Sequence, residues 1–195
     1  MLNRSTFINL ALLTLFGFGL AAYFIINTYT QQDFWQIITG EKEWYFQLGI
    51  GLAYGLLVAI IGWMIIKMPF QKATKNKYAQ LIQSLDLRIS DIILVSFCAG
   101  VGEELFFRGA IQPLAGIWFT AIIFVALHGY LNPFNWQISI YGLYMTMIIA
   151  GVGYLKIHFG LASSMIAHMV IDVYLLYKLN NEYLEGEPQP ETSDI

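Results

Sequence analysis

Charge is what this sequence has least of. Only 12% of its 195 residues are Asp, Glu, Lys or Arg, whereas 57% are hydrophobic. An ordinary soluble domain carries about 25% charged residues. Chains stay disordered when hydrophobicity is low and charge is high, so that class is excluded. A basic excess is missing too: 10 Lys and Arg stand against 13 Asp and Glu, for a net charge of −3. That balance argues against nucleic acid as a partner, because phosphates are neutralised by Lys and Arg. Cysteine occurs once, at Cys98, which excludes an internal disulfide framework and a Cys-rich zinc site. What remains is a membrane protein or an unusually apolar soluble one, and the placement of the few charges decides between them.

Two long runs contain no charge, Thr6 to Ile26 and Phe46 to Ile66. Each is about 20 residues, enough to cross a hydrocarbon core of about 30 Å. The first follows Arg4 but lacks a small-x-small cleavage site before the polar stretch Asn27 to Lys42, so it reads as an anchored helix rather than a signal peptide. Four more apolar stretches lie near 89–112, 115–131, 137–156 and 161–179, with Ser90-Asp91 as a cap-like opening of the first. Pro113 is expected to close that stretch and Pro133 the next. The fold class expected is all-α, a polytopic membrane bundle of about six transmembrane helices. Trp35, Trp44, Trp118 and Trp136 flank the apolar runs as interfacial anchors.

Between the second and third runs lies a basic segment holding Lys67, Lys72, Lys75, Lys77 and Arg88. Within it Tyr78, Leu81, Ile82 and Leu85 recur at helical spacing on one face. This reads either as an amphipathic helix in the headgroup region or as a helix packed on the protein's own loops. The excess of Lys and Arg puts the segment, and with it both termini, on the cytoplasmic side of the membrane. The expected organisation is therefore an N-terminal part, 1–88, a helical core, 89–179, and a flexible acidic tail, 180–195.

Four charged residues fall inside the expected spans: Glu103, Glu104, Arg108 and Asp172, accompanied by His128 and His168. An ion at the centre of a spanning helix costs about 2.5–3.5 kcal/mol, so four are a burden of order 10 kcal/mol before pairing. They must face one another or a water-filled cavity. Glu104 and Arg108 stand at i, i+4 and can form an ion pair. His168 and Asp172 repeat that spacing, so the carboxylate can hold the imidazole in one tautomer. Glu103 points about 100° away from Glu104 and has no local partner. Counted at 1.5 Å per residue, Glu103 lies about 20 Å into its helix and His168 about 10 Å into a helix entering from the other face, so the two meet at similar depth.

Such a set suits hydrolysis. A carboxylate in an apolar pocket is a usable general base. A facing imidazole can share activation of a water, ligate a metal, or donate to a developing oxyanion. Ser163 and Ser164 lack a nucleophile-elbow context, no His-Glu-x-x-His segment occurs, and Cys98 reads as packing. Gly100, Gly102 and Gly109 around the first pair of Glu residues read as close helix packing. A non-catalytic membrane protein held together by these groups and a proton-coupled transporter are the competing readings, the latter weakened by the absence of an inverted repeat.

The segments Glu103-Glu104-Leu-Phe-Phe-Arg108, Phe124-Val-Ala-Leu-His128 and His168-Met-Val-Ile-Asp172 resemble the three motifs of the CPBP family. That family of intramembrane proteases includes the type II CAAX prenyl endopeptidases and bacterial relatives linked to bacteriocin immunity. The resemblance covers roughly 89–179 and implies a multi-pass protein of a bacterial cytoplasmic membrane, with a polar cavity open to the cytoplasm. It implies that membrane lipids and a membrane-associated peptide or protein, prenylated in the CAAX case, are its partners. By it, Glu103 with His128 would activate water, and His168 with Asp172 would stabilise the oxyanion or complete a metal site. Glu104 and Arg108 would support that geometry. If a metal is bound, Zn2+ is the candidate, with Glu103, His128 and His168 as ligands. The family's third motif often ends in Asn, whereas this chain has Asp172, which when ionised accepts but cannot donate.

Overall fold

A computed structural model describes residues 3–40 and 42–182, so the acidic tail expected beyond 182 lies outside the described residues. Helix is the only regular structure among them. Helix α1, Arg4–Tyr29, starts with Asn3 accepting from the backbone N–H of Thr6 at 2.9 Å. It contains a π-helical turn at Thr14–Phe18. A short α2, Phe34–Thr39, is capped by the carboxylate of Asp33, which accepts from Trp35 and Gln36 N–H. Helix α3 is Trp44–Ile66 and α4 is Lys72–Gln83. Helix α5, Ile89–Glu104, runs into a π-helical segment, Leu105–Ile111, and then a short α6, Gln112–Ala115. Helices α7, Ile117–Leu127, α8, Trp136–Phe159, and α9, Leu161–Asn180, complete the bundle.

The start of α5 differs from expectation. Arg88, not Ser90, is the N-cap, and Asp91 accepts from the Arg88 backbone N–H at 2.8 Å. The same carboxylate takes a bidentate contact from Arg4, at 2.8 and 3.0 Å, tying the head of α1 to the head of α5. Two bonds in a fork are geometrically selective. Pro113 does not end the helical stretch either. It sits in the first turn of α6, where a missing N–H is tolerated. Gly116 and Gly129, both with positive φ (80° and 76°), bound α7 instead.

Among the described residues three helices, α1, α3 and α8, are long and apolar enough to cross a membrane. The other three expected spans are helical but shorter, interrupted or more polar. The 89–112 stretch changes to π geometry after Glu104, and the 115–131 stretch holds only the 11-residue α7. Helix α9 has 20 residues but carries Ser163, Ser164, His168 and Asp172. Burial is inverted relative to a soluble protein: Leu13, Phe16, Leu20, Phe24, Leu57 and Leu143 are exposed, while Glu104, Arg108, Ser163, Ser164 and His168 are buried. Hydrocarbon outside and polar groups inside is the arrangement a bilayer favours. Trp35, Trp44, Trp118 and Trp136 are all exposed near helix ends.

Helix α9 is wedged between α3 and α5, and glycines make the fit. A Cβ on Gly51 or Gly55 of α3 would stand 2.6 or 2.8 Å from the carbonyl oxygens of Ser163 and Ala167. One on Gly100 of α5 would stand 2.9 Å from that of Met165. Gly102 serves α1 in the same way, its Cβ position being 2.7 Å from the Thr14 oxygen. Close backbone approach through small residues is how membrane helices associate without a hydrophobic driving force. The two π segments also meet here, with Phe18 stacked on Phe106 at 4.8 Å.

Helix α4 packs on α9 at the end of the bundle where α5 begins. Ala79, Ile82 and Leu85 are buried, and Leu81, expected on the same face, is exposed. Gln83 donates to the carbonyls of Leu179 and Glu182, and Lys75 pairs with Glu182 at 2.5 Å. The basic segment is therefore docked on the bundle through its apolar face.

Candidate active site

The six polar residues singled out in the sequence come together where α5, α7 and α9 meet. Glu103 and Glu104 sit at the end of α5 and point to different neighbours. Glu104 is fully buried, and its Oε1 accepts from His168 Nδ1 at 2.8 Å. Its Oε2 lies 3.1 Å from Arg108 Nε. Arg108 is buried as well; it donates through Nη2 to the Ile149 carbonyl at 3.4 Å and lies 4.9 Å from the centre of the Phe124 ring. The i, i+4 ion pair thus survives the change to π geometry after Glu104.

His168 was expected to take its tautomer from Asp172. Glu104 holds its Nδ1 instead, across helices. Asp172 Oδ2 stands at 3.4 Å from the other nitrogen, Nε2, and Glu103 Oε2 at 4.0 Å from the same atom. The i, i+4 spacing brought Asp172 to the ring but left it on the far side. Nδ1 donates to a carboxylate, so Nε2 carries a proton only when the ring is imidazolium.

His128 is the C-cap of α7. Its Nδ1 donates to the Phe124 carbonyl at 2.7 Å, because a carbonyl oxygen can only accept. In the neutral ring Nε2 is then an acceptor, and it faces Glu103 Oε2 at 3.5 Å. Glu103 Oε2 is buried and has no hydrogen-bond partner in the protein. Two acceptors this close are relieved by a proton on His128 Nε2 or by a donor lying beside the pair.

Phe124 organises these groups, a role its place in a motif did not reveal. Its ring stacks on His128 at 4.3 Å, meets His168 edge-on at 5.6 Å and Phe107 edge-on at 5.0 Å. Tyr130, beyond the positive-φ Gly129, lies nearly parallel to His128 at 6.1 Å. No spacing rule pointed to Tyr130, because it follows a turn. It also lines a cavity of about 140 Å³ that opens beside Asp172 and is walled by Tyr78, Tyr141, Leu175 and Leu179. That cavity lies between α4 and Asp172, the one of the six polar residues on its wall.

Among the described residues no group of three His, Cys, Asp or Glu side chains is arranged to hold an ion. His168 Nδ1 is held by Glu104, and its Nε2 faces Asp172 and Glu103 at 3.4 and 4.0 Å. The chemistry considered below is that of the chain's own groups. Cys98 is buried, and Ser163 and Ser164 bond to helix carbonyls, Ser164 to that of Val152 at 2.8 Å.

Glu103, His128 and His168 thus form a polar cluster inside an apolar helical bundle. Residues 86–174 match the family model described as type II CAAX prenyl endopeptidase Rce1-like, and all six site residues fall within the match. Over that stretch the chain is similar to a family of proteases, which supports an intramembrane protease. No curated protein matches the chain, and no solved structure does.

Proposed function

We propose that the protein is an intramembrane endopeptidase that hydrolyses a peptide bond of a membrane-associated substrate, with CAAX-type prenylated chains as the first to test. The observation that carries the reading is the buried, unpartnered Oε2 of Glu103 facing His128 Nε2 at 3.5 Å. A water that donates one hydrogen to each of these acceptors is held with its lone pair free for attack. As its oxygen adds to the scissile carbonyl, its proton passes to Glu103. The carbonyl π electrons move to the oxygen, and His168 as imidazolium donates from Nε2 to that oxyanion. Collapse breaks the C–N bond, and Glu103 returns its proton to the departing amine. Glu104 and Arg108 keep the His168 ring oriented, and they touch no substrate. Phe124, stacked on the His128 ring, and Tyr130, nearly parallel to it, help fix its plane.

Access is from the end of the bundle bearing α4, where the cavity beside Asp172 opens. The Lys and Arg of that segment support a cytoplasmic reading of this end. The test is cleavage of prenylated and unprenylated peptides by the protein in proteoliposomes. The parent cleaves; Glu103→Gln, which keeps the shape of the side chain, lowers kcat by about 10²–10⁴-fold with an unchanged unfolding temperature. A Glu103→Gln protein as active as the parent would refute the assignment.

A further inference from the structure

His158 takes no part in the site above, and neither do Lys42 and Lys156. These three residues line a second cavity, of about 660 Å³, at the opposite end of the bundle where α8 ends and α9 begins. Its wall also includes Gln36 and Thr39 of α2. Ligand sites typically enclose about 300–1,000 Å³, so this is a full-sized one. Leu161, on its edge, precedes His168 by seven positions of α9, about 10 Å along the helix. The two cavities are thus separate.

The charge on this wall is one-sided. No Asp or Glu among the described residues lines it. The ammonium of Lys156 is half-buried and, like that of Lys42, makes no ion pair with any described residue. Asp33 accepts from Trp35 and Gln36 N–H at the head of α2. Lys42 is also held in place. Gln47, 1% exposed, donates from Nε2 to the Lys42 carbonyl at 2.8 Å, beneath Gly40 and Gly160, which line the cavity. A Cβ on Gly160 would stand 2.5 Å from Gln47 Oε1, so the glycine keeps the floor low. Trp35 and Trp44 are exposed on the same end of the bundle, the position aromatic residues take at headgroup depth.

We propose that this cavity binds a phosphate group, with Lys42, Lys156 and His158 as its donors. The two sources of that chemistry are the headgroup of an anionic phospholipid in the adjoining leaflet and a free phosphate ion. The half-buried Lys156 supplies the charge that would otherwise lack a counter-ion, and the more exposed Lys42 and His158 close on the remaining oxygens.

The test is equilibrium binding to the purified full-length protein in neutral detergent, with three probes: short-chain phosphatidylglycerol, short-chain phosphatidylcholine and inorganic phosphate. Phosphatidylglycerol is expected to bind saturably and to raise the unfolding temperature, and phosphatidylcholine to bind at least about tenfold more weakly. Lys156→Gln and Lys42→Gln are each expected to weaken phosphatidylglycerol about tenfold, the loss of one charge-assisted hydrogen bond. Competition by inorganic phosphate at similar affinity would identify the free ion as the source, and its failure would identify the lipid. Should no anionic probe saturate, or should Lys42→Gln, an exposed position that leaves the fold intact, bind as the parent does, the proposal is overturned.

Discussion

Glu104 and His168, on different helices and 64 positions apart in the chain, are joined by a contact of 2.8 Å between Oε1 and Nδ1 in the buried centre of the bundle. The other oxygen of the same carboxylate faces Arg108 at 3.1 Å. One side chain therefore neutralises the guanidinium and orients the imidazole. That makes Glu104 a positioning residue for the site and a structural tie between α5 and α9.

Replacing it should cost stability first. Glu104→Gln leaves Arg108 buried without its carboxylate, and breaking a buried pair from one side costs about 3–5 kcal/mol. The double variant Glu104→Gln with Arg108→Met removes the stranded charge and is expected to recover a large part of that loss. Denaturation in detergent, followed by circular dichroism, reads both. A single variant as stable as the parent would mean that the ion pair contributes nothing.

Asp172 is expected to behave differently. Its carboxylate is 30% exposed and stands 3.4 Å from His168 Nε2. The pair joins a partly exposed carboxylate to a buried ring, so solvent screens it from one side. Asp172→Asn should fold normally and cleave within about tenfold of the parent, whereas His168→Ala should lose cleavage. Loss of activity in Asp172→Asn would show that the negative charge itself is needed.

Chelation is a further check. If Glu103 and His128 activate the water without a metal, cleavage should persist after treatment with 1,10-phenanthroline, and elemental analysis should find no stoichiometric zinc. Activity lost on chelation and restored by Zn2+ would overturn the water-activating pair.

Gly102→Ala tests the packing beneath the site. Its methyl would stand 2.7 Å from the Thr14 carbonyl and from the Cα of Leu15, both backbone atoms that cannot step aside as a side chain could. Overpacking of this sort costs about 1–3 kcal/mol. Gly49→Ala, where a Cβ meets nothing within 4 Å, is the control and should be neutral. Thermal unfolding of the two variants distinguishes them.

What the sequence made legible was whatever depends on neighbours a few positions apart. The charge-free runs around α1 and α3 are local, and so is the Glu104–Arg108 pair. The juxtaposition of Glu103 and His168 was readable through depth, since each helix advances by a fixed rise per residue. The Glu104–His168 bond was not, because it depends on how far α9 is rotated and how closely Gly100 lets it approach. Local rules therefore assigned His168 to Asp172, its nearest carboxylate in sequence. The three expected spans that fell short failed for a related reason. Hydrophobic runs set their outer limits, but Gly116, Gly129 and the π segment, which obey backbone rather than hydropathy rules, fix where helices stop. Tyr130, just past one of these turns, went unseen on the same account.

The π-helical stretch Leu105–Ile111 has one more implication. Its hydrogen bonds run from i to i+5 rather than i+4, so each loop holds one residue more than an α-helix would. Shortening the stretch by one residue would let it relax to ordinary α geometry. The helix beyond would keep nearly its orientation, because one residue fewer in α geometry turns about as far as the π stretch, but the side chains within it would be placed anew around the axis. Arg108 would swing away from Ile149, while Gln112, at the far end, would keep its bond to the Gly153 carbonyl at 3.0 Å. The centre is thus sensitive to the number of residues between Glu104 and Gln112 as well as to their kind: a deletion there that removes no charge and exposes no apolar group should still dismantle it.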